Sequence, residues 1–98
     1  MTARQVVRVE SALGMHARAA ARFARLASQF EARVWVEHGW RTVDGKSILG
    51  LLLLSAAHGA EVAIAADGPD AEAAVAVLTR FVEHGFEEGA GMPGHGAA

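Results

Sequence analysis

The chain has 98 residues, no cysteine, two prolines and nine basic against eleven acidic side chains, a formal net charge of −2. That length fits one domain, and a content of 52% hydrophobic and 20% charged residues builds a core rather than a disordered chain. The lack of cysteine excludes a disulfide scaffold, a thiolate metal site and a cysteine nucleophile, and the near-neutral balance argues against a general nucleic-acid binder.

Residues Arg4 to Glu10 are β-branched and interrupted by charge, with Val7 and Val9 on one face and Val6, Arg8 and Glu10 on the other, which predicts a strand. Ser11 to Met15 contains Gly14 and reads as a connecting loop. From Ala17 to Phe30 the period becomes helical. Arg18, Arg22, Arg25 and Gln29 form a polar stripe opposite Ala20, Phe23, Ala27 and Phe30, and the many alanines favour the helix. Glu31 to Glu37 alternates, with Ala32, Val34 and Val36 inward. A turn at His38-Gly39 leads into a short antiparallel strand, Trp40 to Val43.

Asp44-Gly45-Lys46 is a second turn, and Ser47 is placed to cap a short apolar helix, Ile48 to Leu54. That apolar run is the longest in the chain and falls well short of the ~20 residues of a membrane span. The N-terminal segment has Arg8 directly after Val6-Val7 and no signal-peptide core, so a cytoplasmic protein with no membrane insertion is expected. Glu61 to Ala66 alternates again, with Val62 and Ile64 inward. Asp67-Gly68-Pro69-Asp70 carries cap and proline signals for a last helix, Asp70 to His84, whose apolar stripe is Ala71, Ala74, Val75, Leu78, Phe81 and Val82. The expected domain is residues 1–88, followed by a disordered Gly/Ala-rich tail, 89–98. The order β-α-β-β-α-β-α implies an α+β fold: an open-faced sandwich whose four-stranded, largely antiparallel sheet is covered on one face by three helices.

No histidine cluster has metal-ligand spacing and no Gly-rich nucleotide loop is present, so no metal and no cofactor are expected. His16 is the histidine placed for chemistry. It lies where the Gly14 loop meets the first helix, beside N–H groups that lack intrahelical partners and at the positive end of the macrodipole. Ala17 and Arg18 at that helix start form a phosphate-binding position, with Arg18 as an additional cation. An imidazole with an ordinary pKa of about 6.5 is a nucleophile near pH 7, which suits a histidine that takes a phosphoryl group and passes it on. On helix-end chemistry alone, the plainer alternative is a histidine cap with Arg18 as a solvated charge. His38, His58, His84 and His95 occupy turn, breaker, helix-end and tail positions and are expected to carry no chemistry. Trp35 and Trp40, on neighbouring strands, read as sheet packing rather than a stacking platform for bases.

Gly14-Met15-His16-Ala17-Arg18-Ala19-Ala20 resembles the active-site signature of the histidine-containing phosphocarrier family, HPr, and of its nitrogen-related relatives, NPr. Asp44-Gly45-Lys46-Ser47-Ile48-Leu49-Gly50 is similar to the family's regulatory serine region, at the family's usual separation. The resemblance covers residues 3–88. It implies a covalent carrier rather than a turnover enzyme: a phosphoryl group passes from phosphoenolpyruvate to enzyme I, then to Nδ1 of His16, then to the A component of an enzyme II or its regulatory homologue. It also implies reversible phosphorylation of Ser47 by an HPr kinase/phosphorylase. Ala19 departs from the pattern, which most often has proline there; alanine keeps helix propensity and supplies an N–H.

Leu51 and Leu54 are expected to face the sheet, leaving Ile48, Leu49 and Leu52 as an exposed apolar cluster beside Arg18, Arg22 and Arg25. An apolar centre with a cationic rim fits brief association of a monomer with acidic partners. From a different class, the alternative function is a small regulatory binding module of ferredoxin-like type that takes no covalent phosphate. Within the family, the sugar-transport and nitrogen-regulatory branches both remain open.

Overall fold

Alternating valines put one face of the first strand into the core, and the computed structural model shows the same rule in the second strand of the chain. It describes residues 1–86; the expected boundary at residue 88, the tail 89–98 and His95 lie outside them. The elements are β1 (Thr2–Arg8), α1 (Ala17–Ala27), β2 (Arg33–His38), β3 (Arg41–Asp44), α2 (Ile48–Leu54), β4 (Glu61–Asp67) and α3 (Ala71–Glu83). The strands form one sheet in the order β1-β4-β2-β3, and every neighbouring pair is antiparallel. All three helices pack on one face, giving the α+β open-faced sandwich expected from the sequence.

The core lies between sheet and helices. Val7, Val9, Val34, Val36, Val62 and Ile64 come from the sheet; Phe23, Leu51, Leu54, Leu78 and Val82 close over them. Fully burying side chains of this size is worth roughly 1.5–3 kcal/mol each, so no single helix holds the others in place. α1 buries the small Ala19, Ala20, Ala24 and Ala27 around Phe23, which lets its backbone approach the core closely.

Several boundaries differ from the periodic expectation, each for a local reason. α1 stops at Ala27 rather than Phe30 because the Ser28 hydroxyl donates back to the Ala24 carbonyl at 2.8 Å, and Gln29 and Phe30 make tighter i−3 bonds. β1 runs two residues earlier than expected. Its continuation at Val9 keeps two sheet-like bonds, donating to the Ala60 carbonyl at 2.8 Å and accepting the Gly59 N–H at 2.8 Å. The β2–β3 turn is Gly39-Trp40 rather than His38-Gly39, so His38 closes β2.

In β4 the alternation is incomplete. Ala63 and Ala65 are buried as well as Val62 and Ile64, because β4 lies between β1 and β2. Arg4 on β1 pairs with Ala65 and Glu37 on β2 pairs with Ala63. Their side chains meet over β4, with Arg4 Nη2 donating to Glu37 Oε1 at 3.0 Å and the Trp35 indole N–H donating to Glu37 Oε2 at 3.0 Å. Strands one removed are about 9.6 Å apart; only small residues between them leave room for this arch. The Arg4 guanidinium, followed by the Trp35 N–H, holds the Glu37 carboxyl below the usual carboxylate range.

Asp70, expected as the first residue of the last helix, is the N-cap of α3, yet it makes no side-chain capping bond to that helix. Its carboxylate instead accepts the Glu31 N–H at 2.9 Å and the Ala32 N–H at 2.8 Å. Gly68 makes this approach possible: a Cβ there, at φ +150°, would lie 2.6 Å from the Ala32 Cα. The start of α3 is thereby tied to the segment joining α1 to β2.

Two predictions follow from these contacts. The Glu31 N–H first, and the Ala32 N–H with it, lower the Asp70 pKa. The contribution of this group is therefore present above the unfolded carboxylate value near 4 and is lost as pH falls through the lower folded value. Urea unfolding from pH 5 down to pH 2 should show a steeper loss of stability for the wild-type chain than for Asp70→Asn; parallel curves would contradict it. Thr79 Oγ1 is buried with no hydrogen-bond partner among the described residues. Thr79→Val should leave stability unchanged or raise it by up to about 1 kcal/mol in the same assay, since it removes an unsatisfied polar atom at equal shape.

Candidate functional site

The loop between β1 and α1 is held by its backbone. Gly14 has φ +67°, and a Cβ there would lie 2.6 Å from the Ala56 carbonyl oxygen, so glycine is required by both conformation and contact. The next residue, Met15, buries its side chain and donates its N–H to the same Ala56 oxygen at 2.9 Å. A Gly14 N–H bond to the Ser11 carbonyl at 3.0 Å closes the turn. Fixed on both sides, the chain delivers His16 to the N-cap of α1 with extended backbone angles, φ −82° and ψ 178°.

His16 is half-buried and uses its ring as the cap. Its carbonyl accepts the Ala20 N–H at 2.8 Å, the first helical bond, and ring Nδ1 accepts the Ala19 N–H at 3.4 Å. Small oxygen-bearing side chains usually fill this position; here imidazole does so through a nitrogen lone pair. The N–H groups of Ala17 and Arg18, at the first two helical positions, have no carbonyl within α1 to bond. The Arg18 side chain is exposed beside them, and no acidic residue stands in the first turn to compete for the site. The structure thus gathers His16, Ala17 and Arg18 at one helix start. It is a small, open, positively polarised position where a nucleophilic nitrogen and anion-binding donors lie side by side.

Arg22 follows one turn later, and its guanidinium donates to the Phe86 carbonyl at 3.4 Å, so it also ties α1 to the segment after α3. Arg25 sits in the last turn, about 10 Å along the axis from Arg18 at 1.5 Å per residue. The basic stripe therefore leads away from the anion position rather than encircling it.

Ser47 caps α2, its hydroxyl accepting the Gly50 N–H at 3.0 Å. It does not join His16. The exit of α2 leads to Ala56, which anchors the His16 loop, whereas its entry is tied to the far end of α1, where Lys46 Nζ donates to the Phe30 carbonyl at 2.7 Å. Ser47 and His16 thus mark opposite ends of the surface formed by α1 and α2.

Between them lies the expected apolar cluster. Leu51 and Leu54 are buried, while Ile48, Leu49 and Leu52 are 47%, 67% and 37% exposed. Leu53, at 58% exposure, extends the cluster and was not expected; its i+4 spacing from Leu49 was the available signal. The C-terminal carbonyls of α2 are also engaged: Arg41 donates to the Leu53 carbonyl and His38 Nδ1 lies 3.2 Å from the Leu54 carbonyl. His38 is thus a structural contact of the helix end. His84 behaves similarly at the end of α3, with Nδ1 2.8 Å from the Arg80 carbonyl. Among the described residues no group of three or more metal-ligating side chains is present, and no helix is long and apolar enough to cross a membrane.

A family model described as "PTS HPr component phosphorylation site" matches residues 3–84. The chain is 41% identical over 86 residues to the phosphocarrier protein HPr of Neisseria meningitidis serogroup A, covering 88% of this chain and 97% of that one. It is 35% identical over 89 residues to the phosphocarrier protein NPr of Escherichia coli K12, covering 90% and 99%. Among solved structures, the phosphocarrier protein HPr of Bacillus anthracis superposes with a TM-score of 0.80 at 34% identity, over 83% of this chain and 96% of that one. HPr-C-His from Thermoanaerobacter tengcongensis gives 0.82 at 34% identity, over 88% and 98%. Matches of this span leave one assignment: the chain belongs to the HPr family of phosphocarriers of the phosphotransferase system, in which HPr and NPr proteins both fall.

Proposed function

We propose that His16 is the residue that carries the phosphoryl group, accepting it on Nδ1 from phosphorylated enzyme I and giving it to the A component of an enzyme II or a regulatory homologue. The observation that carries this reading is the pairing of a ring nitrogen with unbonded N–H groups at the same helix start. Nδ1 attacks phosphorus in line with the departing donor nitrogen, and the charge on the equatorial oxygens falls to the N–H groups of Ala17 and Arg18 and to the Arg18 guanidinium. Helix-end stabilisation of an anion is worth about 0.3–2 kcal/mol. That is enough to orient the group and too little to trap it, as a carrier in a relay needs.

Docking falls to the exposed face of α2. Ile48, Leu49, Leu52 and Leu53 supply apolar contact, and Arg18, Arg22 and Arg25 supply positive charge that steers acidic partners. The chain works as a cytoplasmic monomer in this reading and needs no metal or cofactor. Ser47 is the regulatory position, modified by an HPr kinase/phosphorylase. A phosphate there adds roughly −1.5 to −2 charges at a helix start, which tolerates them. Because Ser47 and His16 lie at opposite ends of the α1–α2 surface, the added charge opposes the acidic partner's approach rather than the chemistry at the ring. Similarity to HPr and to NPr proteins supports both branches, and binding to candidate A components distinguishes them.

Incubation with phosphoenolpyruvate and enzyme I should place one acid-labile, base-stable phosphate on the wild-type chain and none on His16→Ala. In the same assay Leu49→Asp should slow loading by ~10-fold or more, the cost of a charge in an apolar contact. Phosphate retained by His16→Ala would move the acceptor elsewhere; no phosphate on the wild-type chain would leave the binding-module alternative. With HPr kinase and ATP, a stable phosphate should map to Ser47, be absent from Ser47→Ala, and slow subsequent loading by enzyme I. Equal labelling of Ser47→Ala would overturn the regulatory assignment. That variant also loses a helix cap worth ~1 kcal/mol, so its thermal unfolding is measured alongside.

A further inference from the structure

We infer that the backbone N–H of Ala19 is a positioning group for the reaction: it turns the reactive nitrogen of His16 toward the helix start and then bonds the phosphoryl group once that nitrogen is occupied. The inference rests on the carrier reading above and adds a named donor to it.

A neutral imidazole has one N–H and one lone pair, on different nitrogens. The Ala19 N–H is directed at His16 Nδ1 from 3.4 Å. The ring that accepts it carries its proton on Nε2 and its lone pair on Nδ1; the other tautomer would set two N–H groups against each other. Ala19 stands at the third helical position, where an N–H has no carbonyl within the helix to bond. The His16 carbonyl is taken by the following residue, Ala20, at 2.8 Å. The Ala19 donor therefore acts on the ring without weakening α1.

The same geometry makes the contact easy to leave. At 3.4 Å it is longer than the 2.9–3.0 Å usual for an N–H donor, so an incoming phosphorus atom displaces little. In the transfer, the Nδ1 lone pair forms the new N–P bond while the bond from phosphorus to the donor's phosphohistidine nitrogen breaks, its electron pair remaining on the donor. The Nε2 proton stays in place, so His16 gains and loses no proton. Nδ1 then has no lone pair to offer, and the Ala19 N–H turns to a phosphoryl oxygen together with those of Ala17 and Arg18. One amide thus serves both states of the carrier. Its side chain is irrelevant to this role; the presence of a hydrogen on nitrogen is what counts.

Three versions of residue 19 test this in the full chain. Ala19→Gly keeps the N–H. Ala19→Pro removes it at a first-turn position that tolerates proline. A backbone ester, with lactic acid in place of Ala19, removes the donor while keeping the side chain, with a weaker Arg18 carbonyl acceptor, and covers the case in which proline disturbs the packing. The readouts are the ¹⁵N ring shifts of His16, assigned by comparison with His16→Ala, at alkaline pH, and the level of phosphate loading at a fixed ratio of phosphoenolpyruvate to pyruvate with enzyme I. The wild-type and glycine chains should show the Nε2–H tautomer. The proline and ester chains should show mixed tautomers and a loading equilibrium lower by about threefold to tenfold, the excess of a hydrogen bond to a charged phosphoryl oxygen over the longer one to the neutral ring that it replaces. An ester chain that is folded by circular dichroism and matches the wild type in both readouts would overturn the inference. A wild-type chain with the expected tautomer but no phosphate would instead overturn the carrier reading, and the role assigned to the phosphorylated state with it.

Discussion

The site depends on one close approach, that of the Gly14 backbone to the Ala56 carbonyl. A side chain at Gly14 would collide with that oxygen, and the Met15 N–H bonds to it. This pins the β1–α1 loop against the segment that leaves α2, and so fixes where α1 begins. Everything chemical about His16 follows from that starting point. The residue that happens to stand at the N-cap inherits the unbonded amides and the positive end of the helix. Moved one position later, to the exposed place of Ala17, the same imidazole would be a surface side chain.

The contact also joins two surfaces that are distant in sequence. Because Ala56 follows α2 after the single residue Ser55, the anchored loop and the exposed leucines become parts of one face, with Arg18 at the end nearest the ring. Ser47 lies at the other end, secured through its neighbour Lys46 to the Phe30 carbonyl. His16, the exposed apolar cluster and Ser47 are thereby arranged in a line along the paired helices.

Much of this was legible in the residues. Period-2 valines located β1 and β2, and the Ala-rich stripe around Phe23 located α1. The Gly14 loop before a helix singled out His16, and Ser47 before the leucine run announced both a cap and a short helix. What was not legible belongs to tertiary contact. Ala63 and Ala65 read as the outward side of a strand, but β4 is central and the Arg4–Glu37 arch covers them. Asp70 read as the start of its own helix, within a stretch of cap signals, yet its carboxylate bonds residues almost forty positions away. Leu53 could have been assigned to the exposed set from its spacing. The bond from Ala19 to the ring could not, since the departure from proline shows that an N–H exists and only the fold shows where it points.

α2 has seven residues, too few to stay helical by itself in water. Here its first turn is capped by Ser47, its last carbonyls are bonded from the β2–β3 hairpin by Arg41 and His38, and Leu51 and Leu54 root it in the core. The exposed apolar face, the docking surface of the proposed reading, is therefore held in place before any partner arrives. Little ordering entropy is left to be lost on association, so complexes can form quickly without needing large contact areas and come apart as quickly. Under the proposed relay, in which two partners are visited in each cycle, a stiff and shallow handle limits how long either one can keep it.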